Sequence, residues 1–89
     1  MKLKDGFYLE RVEGQNVIKC DPQNRRSLDS VITLNKNAAF LFKCLQSGEK
    51  TKEQLLNLTL DNLDVSTVMA LNDIDVFVKT LKENGIIEE

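Results

Sequence analysis

The sequence has 89 residues, a formal net charge of −2, no histidine and no tryptophan, and 42% of its residues are hydrophobic. This length fits one domain over residues 1–89, and the composition is that of a globular protein rather than a disordered one. Met1 begins no signal peptide and no apolar run is long enough to span a bilayer, so we expect a cytoplasmic protein without membrane contact.

Three short strands are predicted in the first part of the chain. Phe7–Val12 is rich in strand formers, and Val17–Cys20 follows the turn residues Glu13–Asn16, which predicts a β-hairpin. Val31–Leu34 is β-branched and apolar and forms the third strand of an antiparallel meander. The remaining segments are a loosely held lead-in, a turn and a polar link, over residues 1–6, 21–24 and 25–29.

The first two helices are predicted from their caps. Asn35 offers a side-chain oxygen to the free N–H groups of a helix over Lys36–Gln46. Thr51 and Gln54 have the spacing of a capping box, which begins a second helix that fades near residues 60–62. Only one residue separates the third strand from the first helix, so their relative orientation is fixed.

The last helix is the longest, and its periodicity separates a core face from an exposed flank. It is predicted over Thr67–Asn84, with Ser66 as its cap and Gly85 as the residue that ends it. At about 100° per residue the core face collects apolar side chains: Ala70, Leu71, Ile74, Phe77, Val78 and Leu81. The opposite flank carries two apolar residues and two polar neighbours: Met69, Val76, Asp73 and Thr80.

This order of elements predicts an α+β, winged-helix-like fold, with a three-stranded antiparallel sheet followed by three helices. Catalytic signatures are missing, since the sequence has no histidine, no phosphate-binding Gly-rich loop and no GxSxG or HExxH motif. Cys20 and Cys44 match no metal spacing and are interpreted as reduced thiols, with a disulfide or a reactive thiol as the less favoured alternatives. We therefore expect no enzyme, no metal and no cofactor.

Two features indicate a binding function. The third strand is an outer strand without the Lys or Pro residues that guard an exposed edge. If the flank with Met69 and Val76 faces that edge, the two form a groove in which an extended peptide can add as a strand. Alternatively, Met69 and Val76 cover a corner of the core, and these residues alone leave both interpretations open. The unguarded edge also permits a homodimer.

Four motifs, in their order and spacing, resemble the PqqD-like family of peptide-recognition domains. The motifs are the strand end Leu34-Asn35, the run Ala38–Phe42, the segment Gly48–Leu55 and the helix end Leu81–Ile87. The resemblance implies a winged-helix-like domain that binds the leader segment of a ribosomally made precursor peptide by strand addition. It also implies presentation of that peptide to a modifying enzyme, such as a radical S-adenosylmethionine protein, a protease or a cyclase.

Carried onto this sequence, the resemblance implies a peptide-binding site beside the third strand and against the last helix. The implied residues are Val31, Ile32 and Thr33 on the strand, with Met69, Asp73, Val76 and Thr80 on the helix.

Two other function classes compete with peptide binding. A winged-helix transcription regulator would offer Lys or Arg to DNA from its recognition helix. The last helix instead mixes the two signs of charge: Asp73, Asp75 and Glu83 against Lys79 and Lys82. A subunit that stabilises a larger enzyme without touching its substrate is the third class, and it would have no affinity for a leader peptide. We therefore expect no nucleic-acid partner.

Overall fold

The computed structural model describes residues 1–21 and 31–88. Its elements in chain order are β1 (Lys2–Leu3), β2 (Phe7–Val12), β3 (Gln15–Cys20), β4 (Ile32–Leu34), α1 (Lys36–Gln46), α2 (Lys52–Asn62), α3 (Thr67–Glu83) and β5 (Ile87–Glu88). The order β2-β3-β4 makes a three-stranded sheet, and β1 pairs with β5 in a second, two-stranded sheet. The predicted α+β fold, an antiparallel sheet followed by three helices, is confirmed. The turn and polar link predicted over residues 21–29 lie, apart from Asp21, outside the described residues.

The β2–β3 hairpin is tighter than predicted. Val12 lies opposite Gln15, so the turn contains only Glu13 and Gly14. Their φ angles are 50° and 80°, and positive φ at both central residues defines a type I′ turn, which matches the twist of the two strands. The predicted four-residue turn is therefore wrong, because Gln15 and Asn16 begin β3.

Each helix begins at its predicted cap. The Asn35 side chain accepts the backbone N–H of Ala38 at 2.8 Å. Thr51 and Gln54 exchange both bonds of a capping box, at 3.1 and 2.8 Å. The Ser66 hydroxyl accepts a backbone N–H of α3 at 3.2 Å. These bonds satisfy N–H groups that lack partners within the helices.

A glycine ends α3 and redirects the chain. Gly85 has φ 69°, and its N–H donates to the Lys82 carbonyl at 3.1 Å. The N–H of Ile86 donates to the Leu81 carbonyl at 2.9 Å, which completes a Schellman motif. The motif places Ile86 in the core, fully buried, directly before β5.

The first residues of the chain are held in place. β1 pairs with β5 in antiparallel register, and Lys2 Nζ lies 3.2 Å from Glu88 Oε1. The α-amino group of Met1 donates to the carbonyl of Lys50 at 2.9 Å. The expected loosely held lead-in is therefore wrong, because the opposite end of the chain supplies a strand partner that local sequence does not reveal.

One hydrophobic core joins the strands to the three helices. Its largest fully buried apolar side chains come from β3, from every helix and from the segment after α3: Phe42, Phe77, Ile18, Leu41, Leu55, Ile74, Leu81 and Ile86. Of the predicted core face of α3, Leu71 and Val78 are half-buried and the other residues are buried. The buried hydroxyl of Thr59 donates to the Leu55 carbonyl at 2.8 Å, so its burial leaves no donor unpaired.

We predict that Phe77→Ala lowers the free energy of unfolding by about 3–5 kcal/mol, because it leaves a cavity in a packed core. Urea denaturation followed by circular dichroism measures the change. Val68→Ala is the matched control, since Val68 lies on the same helix with 77% of its surface exposed. A Phe77→Ala protein as stable as the control variant would contradict the core position of Phe77.

Candidate functional site

β4 has one free edge in the described part of the chain. Its strand partner there is β3, with Val17 opposite Thr33. In an antiparallel ladder, the backbone N–H and C=O groups of successive residues point alternately to the two sides of the strand. The alternation starts at the hairpin turn, where Val12 and Gln15 form the hydrogen-bonded pair that closes a two-residue loop.

This alternation of backbone direction leaves the N–H and C=O of Thr33 free. Val17 follows Gln15 by two residues, so its N–H and C=O point to β2. Thr33 lies opposite Val17 and therefore forms no backbone hydrogen bond with it. The N–H and C=O of Thr33 therefore point away from β3, whereas Ile32 and Leu34 direct theirs to β3. The side chains of Ile32 and Leu34 are buried in the core.

A groove lies between this edge of β4 and α3. It encloses about 330 Å³ and is lined from both elements and from the start of α1: Thr33, Leu34, Asn35, Ala38, Asn72, Asp73, Val76, Phe77 and Thr80. We call it the β4–α3 groove. Val76 is apolar yet 57% exposed, so the helical wall offers uncovered hydrophobic surface opposite free backbone groups.

A side-chain hydrogen bond ties α1 to α3 beside the groove. Asn37 Nδ2 donates to Asp73 Oδ2 at 3.1 Å, and the pair is partly buried. Because a carboxylate can accept several hydrogen bonds, Asp73 keeps the capacity to accept an N–H from a molecule in the groove. The bond also links the helix that follows β4 to the opposite wall.

Four of the seven predicted site residues line the groove: Thr33, Asp73, Val76 and Thr80. The other three lie elsewhere. Ile32 is 8% exposed and packs in the core, and Val31 precedes β4 with 78% of its surface exposed. Met69 is 55% exposed on α3 but lies outside the lining.

Of three further lining residues, two have positions in the groove that the sequence does not indicate, and the third could have been found. Asn35 is recognisable only as a helix cap, and Ala38 only as part of the apolar face of α1. Asn72 carries a detectable signal, because it stands four residues before Val76 and so shares its flank of the helix. This spacing is the signal in the sequence that places Asn72 beside Val76.

A second cavity adjoins the groove at the C-terminal end of β4. It encloses about 670 Å³ and shares Thr33, Leu34 and Asn35 with the β4–α3 groove. Its other lining residues come from the hairpin and the start of α1: Arg11, Gly14, Gln15, Asn16 and Lys36. We call it the turn cavity, and both of its charged residues are cationic.

Within residues 1–21 and 31–88, no three His, Cys, Asp or Glu side chains group closely enough to hold a metal ion. In the same residues, no helix combines the length and the apolar character needed to cross a bilayer. The Cys44 thiol is half-buried, and burial raises its pKa, although the nearby Lys50 ammonium opposes the shift. Cys44 is therefore mostly a thiol at neutral pH, which makes it a weak nucleophile.

We predict slow alkylation of Cys44 by iodoacetamide. The Cys20→Ser variant leaves Cys44 as the single thiol, and mass spectrometry follows its modification at pH 8. The rate should be lower in the folded protein than in the urea-unfolded chain, because the raised pKa leaves less thiolate in the folded state. The rate should also rise as pH increases, because a larger fraction of the thiol is then ionised. Equal rates in the two states would show that folding does not protect this thiol.

The same pKa shift gives the sign of a stability effect. A folded-state pKa above the unfolded value stabilises the protein at pH values below the unfolded pKa, and this contribution is lost as pH rises through the folded pKa. The contribution of Cys44 to the free energy of unfolding is thus fully present at neutral pH.

Comparison with known proteins gives one family match and two structural neighbours. Residues 13–87 match the family described as coenzyme PQQ synthesis protein D (PqqD). No curated protein matches the chain significantly. The fold is similar to that of "TbiB1 in Complex with the TbiA(beta) Leader Peptide", with a TM-score of 0.71, 16% identity, and coverage of 99% of this chain and 95% of that one.

The second neighbour is "Lasso peptide synthetase B1 complexed with the leader peptide", with a TM-score of 0.67, 20% identity, and coverage of 99% of this chain and 96% of that one. At these identities, the likeness of both neighbours establishes a shared fold.

Proposed function

The chain belongs to the family of coenzyme PQQ synthesis protein D (PqqD), and from this premise we propose that it recognises the leader segment of a ribosomally made precursor peptide and presents it to a modifying enzyme. One observation carries the proposal: the free N–H and C=O of Thr33 face a groove whose far wall exposes Val76. Both structural neighbours are complexes with leader peptides, which supports the same occupant here.

In the proposed complex the leader adds to β4 as a further strand. Thr33 donates its N–H to one backbone carbonyl of the leader and accepts one N–H from it. The leader residues on either side of this pair point to the same side of the sheet as Ile32 and Leu34, which is the side of the helices. There they contact Val76 and Phe77, so the proposal requires apolar leader residues at positions i and i+2.

Side-chain burial supplies most of the affinity in this arrangement. A net hydrogen bond contributes about 0.5–1.5 kcal/mol, and β4 offers a single residue with both groups free. Full burial of a side chain of the size of Val or Leu contributes about 1.5–3 kcal/mol. Two apolar leader residues against α3 therefore outweigh the backbone pairing, which serves mainly to set register.

The role proposed for this chain is non-catalytic and cytoplasmic. The chemistry belongs to a partner enzyme, such as a radical S-adenosylmethionine protein, a protease or a cyclase, and this chain supplies the leader to it. A homodimer that pairs two β4 edges would occupy the same backbone groups, so dimerisation and leader binding would compete.

DNA binding is not favoured. α3 presents Asp73, Asp75 and Glu83, and a carboxylate-bearing helix is repelled by phosphates. Asp75 also forms an ion pair with Lys52, so the Lys52 ammonium is already paired and is less available to a phosphate group.

We predict that Val76→Asp lowers leader affinity at least about tenfold, because it places a charge against apolar leader side chains. Fluorescence anisotropy with a labelled 15-residue peptide that carries apolar residues at positions i and i+2 measures the change. Val68→Asp is the control, since Val68 is exposed on the same helix but lies outside the groove lining. A collapsed thermal melt of Val76→Asp would place Val76 in the core instead.

We also predict that Thr33→Pro abolishes leader binding while the fold persists. Proline removes the outward N–H and crowds the edge, yet that N–H makes no bond to β3, so the sheet keeps its own ladder. Thr33→Val is the control, because it changes the side chain and keeps both backbone groups. Equal affinities of the proline variant and the wild type would show that the leader does not pair with β4.

A further inference from the structure

The turn cavity continues from the β4–α3 groove and is lined by positively charged side chains. Arg11 from β2 and Lys36 from α1 both line it. Neither residue has an ion pair or side-chain hydrogen bond with another described residue. Two cations from distant parts of the chain therefore converge on one cavity without a counter-charge from the described residues.

The nearby carboxylates are directed elsewhere. Glu10 lies on the opposite face of β2 from Arg11, and its Oε2 is 3.8 Å from Lys19 Nζ. Glu13 belongs to the hairpin turn and does not line the cavity. Asp73 lines the groove, not the turn cavity, and accepts the Asn37 bond. The sign of charge thus changes between the two spaces.

We propose that the turn cavity selects an acidic residue in the leader, on the flank that continues past Asn35 beyond the strand-forming segment. This inference rests on the proposed function and deepens it, since it specifies the composition of the bound peptide. A carboxylate in the cavity accepts the fork of donors of the Arg11 guanidinium and a bond from the Lys36 ammonium. Asp73 disfavours an acid inside the groove itself, so the preference is confined to the flank.

The test measures which residues are enriched in the peptides that the protein binds, because exposed ion pairs change affinity only a few-fold. An mRNA-displayed library of random 15-residue peptides is selected at low salt on the wild-type protein and on the variant Arg11→Glu/Lys36→Glu. We expect the wild type to enrich Asp or Glu on one side of an apolar i, i+2 pair. The double variant should lose that enrichment and select Lys or Arg at the same distance.

A charge-matched control separates the cavity from net charge. Lys43→Glu/Lys79→Glu makes the same change in net charge, and neither lysine lines the groove or the turn cavity. This variant should keep the wild-type acidic preference. Thermal melts of all three proteins check that the substitutions, which fall on exposed residues, leave the fold intact.

The outcomes distinguish this inference from the proposed function. Peptides that lose binding in Val76→Asp but show no acidic flank, or show it equally in both double variants, would overturn the inference alone. Absence of any peptide that depends on Val76 would overturn the proposed function and the inference with it. Duplex DNA that binds through Arg11 and Lys36 and displaces the selected peptides would reassign the cavity to phosphate groups.

Discussion

The geometry of the groove depends on the single residue that joins β4 to α1. The Asn35 side chain accepts the N–H of Ala38, and its own carbonyl accepts the N–H of Ala39 at 2.8 Å. Because both groups are engaged in starting the helix, the strand stops at Leu34 and the free edge centres on Thr33. The helix starts at once, so the small side chain of Ala38 also lines the groove.

The opposite wall is held at both of its ends. Ser66 caps the start of α3, and the turn at Gly85 carries Ile86 into the core, after which β5 pairs with β1. The Asn37–Asp73 bond fixes α3 to the helix that follows β4. A groove preformed in this way reduces the entropy that is lost when an extended peptide binds.

The shortness of β4 has a consequence for self-association and for recognition alike. Short edge strands offer few backbone groups to a second copy of the same chain, which limits aggregation. The same shortness limits what an extended ligand gains from backbone pairing, so discrimination falls to side chains. In this protein the side chains that line the two spaces include Val76 and Phe77 on α3, Asp73 in the groove, and Arg11 and Lys36 in the turn cavity.

The sequence by itself determined the features that depend on neighbouring residues: the three helix caps, the glycine that ends α3, the order of β2 to β4 and the three helices, and the position of Val76 off the core face of α3. Only the tertiary structure decided which residues from distant parts of the chain meet. It pairs β1 with β5, turns Thr33 and not Ile32 outward, leaves Met69 outside the groove and brings Arg11 beside Lys36. The physical reason is range: caps and helical faces form within a few residues, whereas strand register and cavities depend on contacts that exist only after the chain has folded.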